Sequence, residues 1–268
     1  MSDVLDLCSV FGEKDRVEWY RDEDDEEVWL CQWVGGCHCL PRLLPLDSAF
    51  GFLVGAYMAE GWAAEGRGEV EIANTDPRYR RLTMEFLERH GVNFSETRGH
   101  DGGIKAVRFS SRLLNEILAR SCRRGAYQKA LPMYALDAPM EFVRALLDGY
   151  VSGDGSVSAR GAWIELVSRS FILLFGVKVL MTKRLGLDIE DFSEATRQIE
   201  RRPGEPMPMY RLYLRASGTL KFSCEVELCI WYKQDRLARA LLSSYYGFDD
   251  VDEEPGDLHD FLTRGFFL

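Results

Sequence analysis

The feature that most limits how this chain can fold is a pair of short apolar segments, each closed by an acid and a glycine, 94 residues apart. The first is Phe52-Leu53-Val54-Gly55-Ala56-Tyr57-Met58-Ala59-Glu60-Gly61, and the second is Leu146-Leu147-Asp148-Gly149-Tyr150-Val151-Ser152-Gly153-Asp154-Gly155. Gly55 aligns with Gly149 and Ala59 with Gly153, so each segment has small residues at i and i+4, on one face of a helix. Such a face lets two helix backbones approach closely. Interior glycine costs roughly 1 kcal/mol of helix propensity against alanine, and close packing offsets that cost.

The acids are the sharper constraint. A helix C-terminus carries partial negative charge and disfavours a carboxylate by ~0.3–1 kcal/mol. Packing the two helices together would also place two like charges side by side, which favours proton uptake. A divalent cation would relieve both strains, and hard oxygen donors with an open shell suit Mg²⁺. Two carboxylates, a divalent metal and a phosphodiester are the parts of metal-assisted phosphoryl hydrolysis.

The surroundings of the two segments repeat. Residues 48–61 read as a helix with Asp47 or Ser48 as N-cap and Gly61 as C′ residue. A strand at 68–73 follows, then a helix from Pro77 to about 90, strands near 92–98 and 104–110, and a helix from Arg112 to Arg120. A linker with Pro132 and Pro139 leads to the second helix, Met140 to Gly153. After it come a strand at 162–168, a helix from Ser170 to Gly186, strands near 192–200 and 209–216, and a helix near 218–230. The pattern is α-β-β-α-β-β-α twice over, as expected of a duplicated half-domain rather than a solenoid. Ahead of it, residues 16–20 and 28–34 alternate as two strands joined by the acidic run 21–27.

The two segments resemble the paired motifs of the LAGLIDADG homing endonucleases, most closely those associated with inteins. The resemblance covers roughly residues 41–240. It implies an α+β fold of duplicated αββαββα halves, with two antiparallel sheets forming a saddle over the major groove. On it, residues 1–47 form a β-rich extension (a splicing-domain remnant or a cap), 48–139 the first half, 140–247 the second half and 248–268 an acidic tail. Glu60 and Asp154, with the backbone at Ala59 and Gly153, would hold Mg²⁺, for which Mn²⁺ or Ca²⁺ could substitute. Many relatives have Asp where Glu60 stands. The family's lysine late in each repeat falls on Lys129 and on Lys233, where a cation would offset charge on the reacting phosphate. The DNA-facing residues would be Arg67, Arg98, Lys105 and Arg108 in the first repeat. In the second they would be Arg197, Arg201 and Arg202, with Arg211, Tyr213 and Arg215. Glu69 and Glu71 sit awkwardly on such a face, although a carboxylate can accept from cytosine N4.

The expected activity is therefore site-specific cleavage of double-stranded DNA by a monomer with internal pseudo-two-fold symmetry. The alternatives are a nucleic-acid-binding protein on the same fold, acting as a regulator or an intron-splicing cofactor, and a purely structural α/β protein. The formal charge of −10 does not oppose DNA binding. Residues 1–30 hold 11 acids and 3 bases, and residues 249–268 hold 7 acids and 1 base. The stretch between them holds 25 acids and 29 bases. Phosphate affinity follows a local basic face, not the total charge.

No apolar run approaches the ~20 residues of a membrane span, and the N-terminus is not patterned as a signal peptide. Seven cysteines read as free thiols in a reducing, intracellular compartment. Cys37-His38-Cys39 is poorly spaced for structural zinc. The chain begins Met1-Ser2 and ends Gly265-Phe266-Phe267-Leu268, without the His-Asn ending of an intein, so splicing is not expected.

Overall fold

Helix α1 (Ser48–Glu60) is buried from Ala49 to Met58. A helix that is apolar on every side belongs in the middle of a protein, and α1 is packed along helix α4 (Met140–Asp154), its main neighbour. In this computed structural model, which describes residues 3–11, 17–21, 28–32, 39–158, 162–189, 192–197 and 207–246, the two helices form the seam between two similar halves.

Five strands precede α1: β1 (Val4–Asp6), β2 (Val17–Arg21), β3 (Val28–Gln32), β4 (Cys39–Pro41) and β5 (Leu43–Pro45). β1 pairs with β5, and β2, β3 and β4 form an antiparallel meander, with the two strands read from the sequence as β2 and β3. Leu5, Leu7, Phe11, Leu40 and Leu44 join the main core, so this extension packs onto the body of the protein.

The first half continues with β6 (Gly61–Ala63), β7 (Glu69–Ala73), α2 (Pro77–Arg89), β8 (Phe94–Arg98), β9 (Ile104–Ser110) and α3 (Arg112–Cys122). After α4, the second half has β10 (Gly155–Val157), β11 (Ile164–Ser168), α5 (Phe171–Leu185), β12 (Phe192–Arg197), β13 (Met207–Leu214), α6 (Ala216–Glu225) and α7 (Trp231–Tyr246). The sheets have matching antiparallel orders, β6-β7-β9-β8 and β10-β11-β13-β12. One face of each sheet is buried: Val70, Ile72, Val107 and Phe109 in the first, and Ile164, Leu166, Leu212 and Leu214 in the second. This is the expected α+β duplication of αββαββα halves, with β6 and β10 in the strand places that no segment read from the sequence had filled, and with α7 as an addition. Strands β6 and β10 are three residues each, too short to show periodicity. Helix α7 follows α6 after a break at 226–230 and extends the last helix beyond the repeat.

Side-chain chemistry explains the helix ends. Asp47 accepts from Phe50 N, Asp76 from Arg78 N and Tyr79 N, Ser111 from Leu114 N, and Ser170 from Leu173 N. Gly186 closes α5 in the left-handed region at φ 63°, as its sequence suggests. Gly61 does not close α1 that way, since its φ and ψ are −80° and 143°. Glycine is needed there because a Cβ would lie 2.6 Å from both Cα and O of Tyr57.

The cysteine expectation needs one correction. Cys8, Cys122, Cys224 and Cys229 are free, but Cys39 is disulfide-bonded. No helix among the described residues is long and apolar enough to cross a membrane.

Candidate functional site

The α1–α4 contact is backbone against backbone. A Cβ on Gly149 would lie 2.6 Å from Phe52 O and 2.9 Å from Ala56 N. One on Gly55 would overlap Leu146 O and lie 3.0 Å from Tyr150 N, and Gly51 abuts the Phe142 carbonyl in the same way. Farther along, Gly153 lies against Ala59, where a Cβ would sit 2.5 Å from that of Ala59 and 3.4 Å from Glu60 Cγ. The small residues thus bring the last turns of both helices together, and with them Glu60 and Asp154.

Burial and neighbouring charge perturb both acids. Burial pushes the Asp154 carboxyl up to about 7, and the negative charge of Glu60 adds to the shift. Burial also raises Glu60. Lys129 and Lys233 pull both acids back toward the ionised form. Burial in turn lowers both ammonium groups, Lys233 to about 8, while the two acids oppose that shift.

The lysines do something the sequence did not reveal. Lys129 Nζ donates to the carbonyls of Tyr57, Met58 and Ala59 at 2.8, 3.1 and 3.3 Å. Lys233 Nζ donates to the carbonyls of Val151 and Gly153 at 3.3 and 3.2 Å, and to that of Ser152. Each ammonium therefore covers the exposed carbonyls at the negative end of one helix. Part of the charge problem read from the sequence is solved by lysine. The expected backbone metal contacts at Ala59 and Gly153 share their oxygens with these lysines.

Tyr79 of α2 was also missed. It is wholly buried, and its Oη donates to Gly149 O at 2.9 Å. Burial and the charges of Glu60 and Asp154 raise its phenol far above the usual range. Only its place beside Gly153 marks it, and that is invisible without the fold.

The described residues expected to meet DNA lie on the outer sheet faces and at the ends of their strands. Arg67 is exposed in the turn before β7. Arg98 donates to Gly102 O at 3.0 Å, and Lys105 lies 3.7 Å from Asp101. Arg108 faces Glu71 in the β7–β9 register and is held by Glu71 at 2.6 Å and Glu69 at 3.1 Å. In the second sheet, Tyr213 faces Glu165 and donates to it at 2.8 Å, while Arg211 lies 3.4 Å from the same carboxylate. Glu165 follows Glu71 by the same 94 residues that separate the acids, so a glutamate marks the middle of each outer face. Arg215 is the exposed N-cap residue of α6. Arg197 belongs to β12, but its side chain, like Arg201 and Arg202, lies outside the described residues.

Two αββαββα halves meet through a glycine-lined helix pair that ends in adjacent acids. This is the arrangement that the resemblance to the LAGLIDADG family implies. No protein-family model matches the chain. It is 30% identical over 229 residues to the DNA-directed RNA polymerase subunit Rpo1C of Methanocaldococcus jannaschii, a match that covers 84% of this chain and 25% of the subunit. The chain thus spans about a quarter of that relative's length. Among solved structures it is similar to mesophilic variants of the homing endonuclease I-DmoI, at TM-score 0.49 and 13% identity, over 68% of this chain and 96% of that one. It is also similar to I-DmoI in complex with DNA and Mn, at TM-score 0.47 and 14% identity, over 68% and 97%. Full-length DUF199/WhiA from Thermatoga maritima matches at TM-score 0.48 and 10% identity, over 81% and 66%.

Proposed function

We propose that this chain is a site-specific endonuclease that cleaves both strands of duplex DNA by divalent-metal-assisted hydrolysis. The observation that carries the proposal is the juxtaposition of Glu60 and Asp154 at the ends of α1 and α4, both raised by burial and Asp154 further by its neighbour's charge. Among the described residues no group of three or more His, Cys, Asp or Glu is placed to hold a metal ion together. A two-carboxylate donor set fits Mg²⁺, which keeps several coordination positions for water and phosphate oxygens.

Glu60 and Asp154 would hold the cation, which when bound supplies Lewis-acid stabilisation of charge on the phosphodiester. Lys129 and Lys233 fix the helix ends on which the acids ride and keep positive charge beside the reacting phosphate. The buried seam gives the acids a rigid base, which limits the reorganisation needed during reaction. The outer faces, with Arg108 and Arg211 oriented by glutamates, would position the duplex and read base edges.

The test is incubation of the purified chain with a randomised duplex library in Mg²⁺, followed by recovery of cut ends. Cleavage that disappears in Asp154→Asn supports the proposal. If no sequence is cut while a duplex is still bound, the rival DNA-binding role on the same fold is favoured, and the nuclease reading fails.

A further inference from the structure

The two halves hold their lysines by different means. In the second half, Asp148 of α4 accepts from Ser152 Oγ at 2.7 Å and from the backbone N of Cys229 at 2.8 Å. Cys229 belongs to the buried turn 228–230 that opens α7. That turn is tied to Lys233 and its neighbour: Lys233 N and Gln234 N donate to Ile230 O at 3.0 and 3.1 Å, and Leu228 N donates to Gln234 Oε1 at 2.8 Å. Lys233 then returns to α4 through the carbonyls of Val151, Ser152 and Gly153. The result is a closed loop of contacts, with Asp148 at one end and the turn carrying Asp154 at the other.

The first half has no counterpart carboxylate, since the residue 94 positions before Asp148 is Val54. Its lysine segment is tied by Tyr57, whose Oη donates to Arg123 O at 3.1 Å, six residues before Lys129. Arg123 itself sits at φ 64°, a conformation that a non-glycine residue holds at some cost. The tyrosine bond helps to define that bend.

We propose that Asp148 is a positioning residue for the second half alone, holding the 228–233 turn so that Lys233 seats on the end of α4 beside Asp154. Tyr57 performs the matching task for Lys129. The inference rests on the nuclease reading, because its consequence is a difference between the two strand cuts. Displacing Lys233 disturbs one side of the acid pair more than the other. A misplacement of ~1 Å near the chemistry costs on the order of 100-fold.

The experiment uses the full chain and a supercoiled plasmid carrying the site recovered from the randomised library, with each strand's cut measured separately. Asp148→Ala is expected to slow one strand about tenfold more than the other, by the same positional argument, and to accumulate nicked circle. Asp148→Asn, whose amide oxygen can still accept both bonds, is expected to restore balance, and Tyr57→Phe to bias cutting toward the opposite strand. Far-UV circular dichroism on each variant separates misplacement from unfolding. An active wild type with equal slowing of both strands in Asp148→Ala, or an unbalanced Asp148→Asn, overturns this inference alone. A wild type that cuts nothing in the library overturns the nuclease reading and this inference with it.

Discussion

Gly149 offers the most direct perturbation of the seam. Its Cβ in Gly149→Ala would sit 2.6 Å from Phe52 O and 2.9 Å from Ala56 N, both main-chain atoms that cannot rotate aside. Comfortable non-bonded separations are ~3.5 Å or more, so the helices must part by several tenths of an ångström. Overpacking of this kind costs ~1–3 kcal/mol and occasionally more, against a gain of about 1 kcal/mol in helix propensity. The upper part of that range applies here, which leaves a net loss of about 2 kcal/mol. Gly218→Ala in α6 is the control, because its Cβ would meet only Leu214 Cβ at 3.8 Å. It should gain up to ~1 kcal/mol. Urea unfolding followed by far-UV circular dichroism measures both. Gly55→Ala strains the same contact, so a Gly55→Ala/Gly149→Ala double variant should lose less than the sum of the singles. A Gly149→Ala protein as stable as the wild type would refute the backbone-contact argument.

Three further outcomes are expected. Burial raises Asp148 to about 6, so the folded state favours its protonated form. That contribution is complete below the ordinary carboxylate range and is lost as pH rises through 6. Asp148→Asn should therefore be more stable than wild type at pH 8 by up to ~3 kcal/mol, with the gap closing by about pH 4, as thermal melts across pH would show. Asp154, raised to about 7 by burial and Glu60, has the same sign. Without metal at pH 8, Asp154→Asn should melt above wild type, whereas Mg²⁺ or Mn²⁺ should raise the wild-type midpoint more than the variant's. A cation at a hundredfold excess over its Kd would contribute about 2.7 kcal/mol. Finally, Glu71→Gln releases Arg108 from one of its two carboxylates. Duplex affinity by fluorescence anisotropy should then rise several-fold at low salt and less at high salt, and an unchanged affinity would place DNA elsewhere.

What could be read from the chain beforehand follows from which signals are local. The glycine spacing at 55 and 149 and the acids at 60 and 154 announced the helix pair because helix periodicity writes itself into adjacent residues. The Asp47 cap was equally local. Strands β6 and β10 were not legible, because three residues carry no period. The role of Lys129 and Lys233 was not legible either. Each spans 70 residues or more of chain to reach its carbonyls, and a buried lysine looks like a surface lysine until the fold is known. Glu71 was visible only as an awkwardness and Glu165 not at all, since their pairing with Arg108 and Arg211 depends on strand register.

The glycine seam also sets how such a protein can be recombined. Tyr79 of one half bonds Gly149 of the other, and Ser170 Oγ of the second half bonds Lys129 O of the first at 2.6 Å. Either sheet can be given a new outer face without touching these contacts. A half taken from another protein can be joined only if it brings a glycine wherever the partner backbone leaves no room for a Cβ. The seam is thus a compatibility code for building hybrids, carried by a few residues that need never touch DNA.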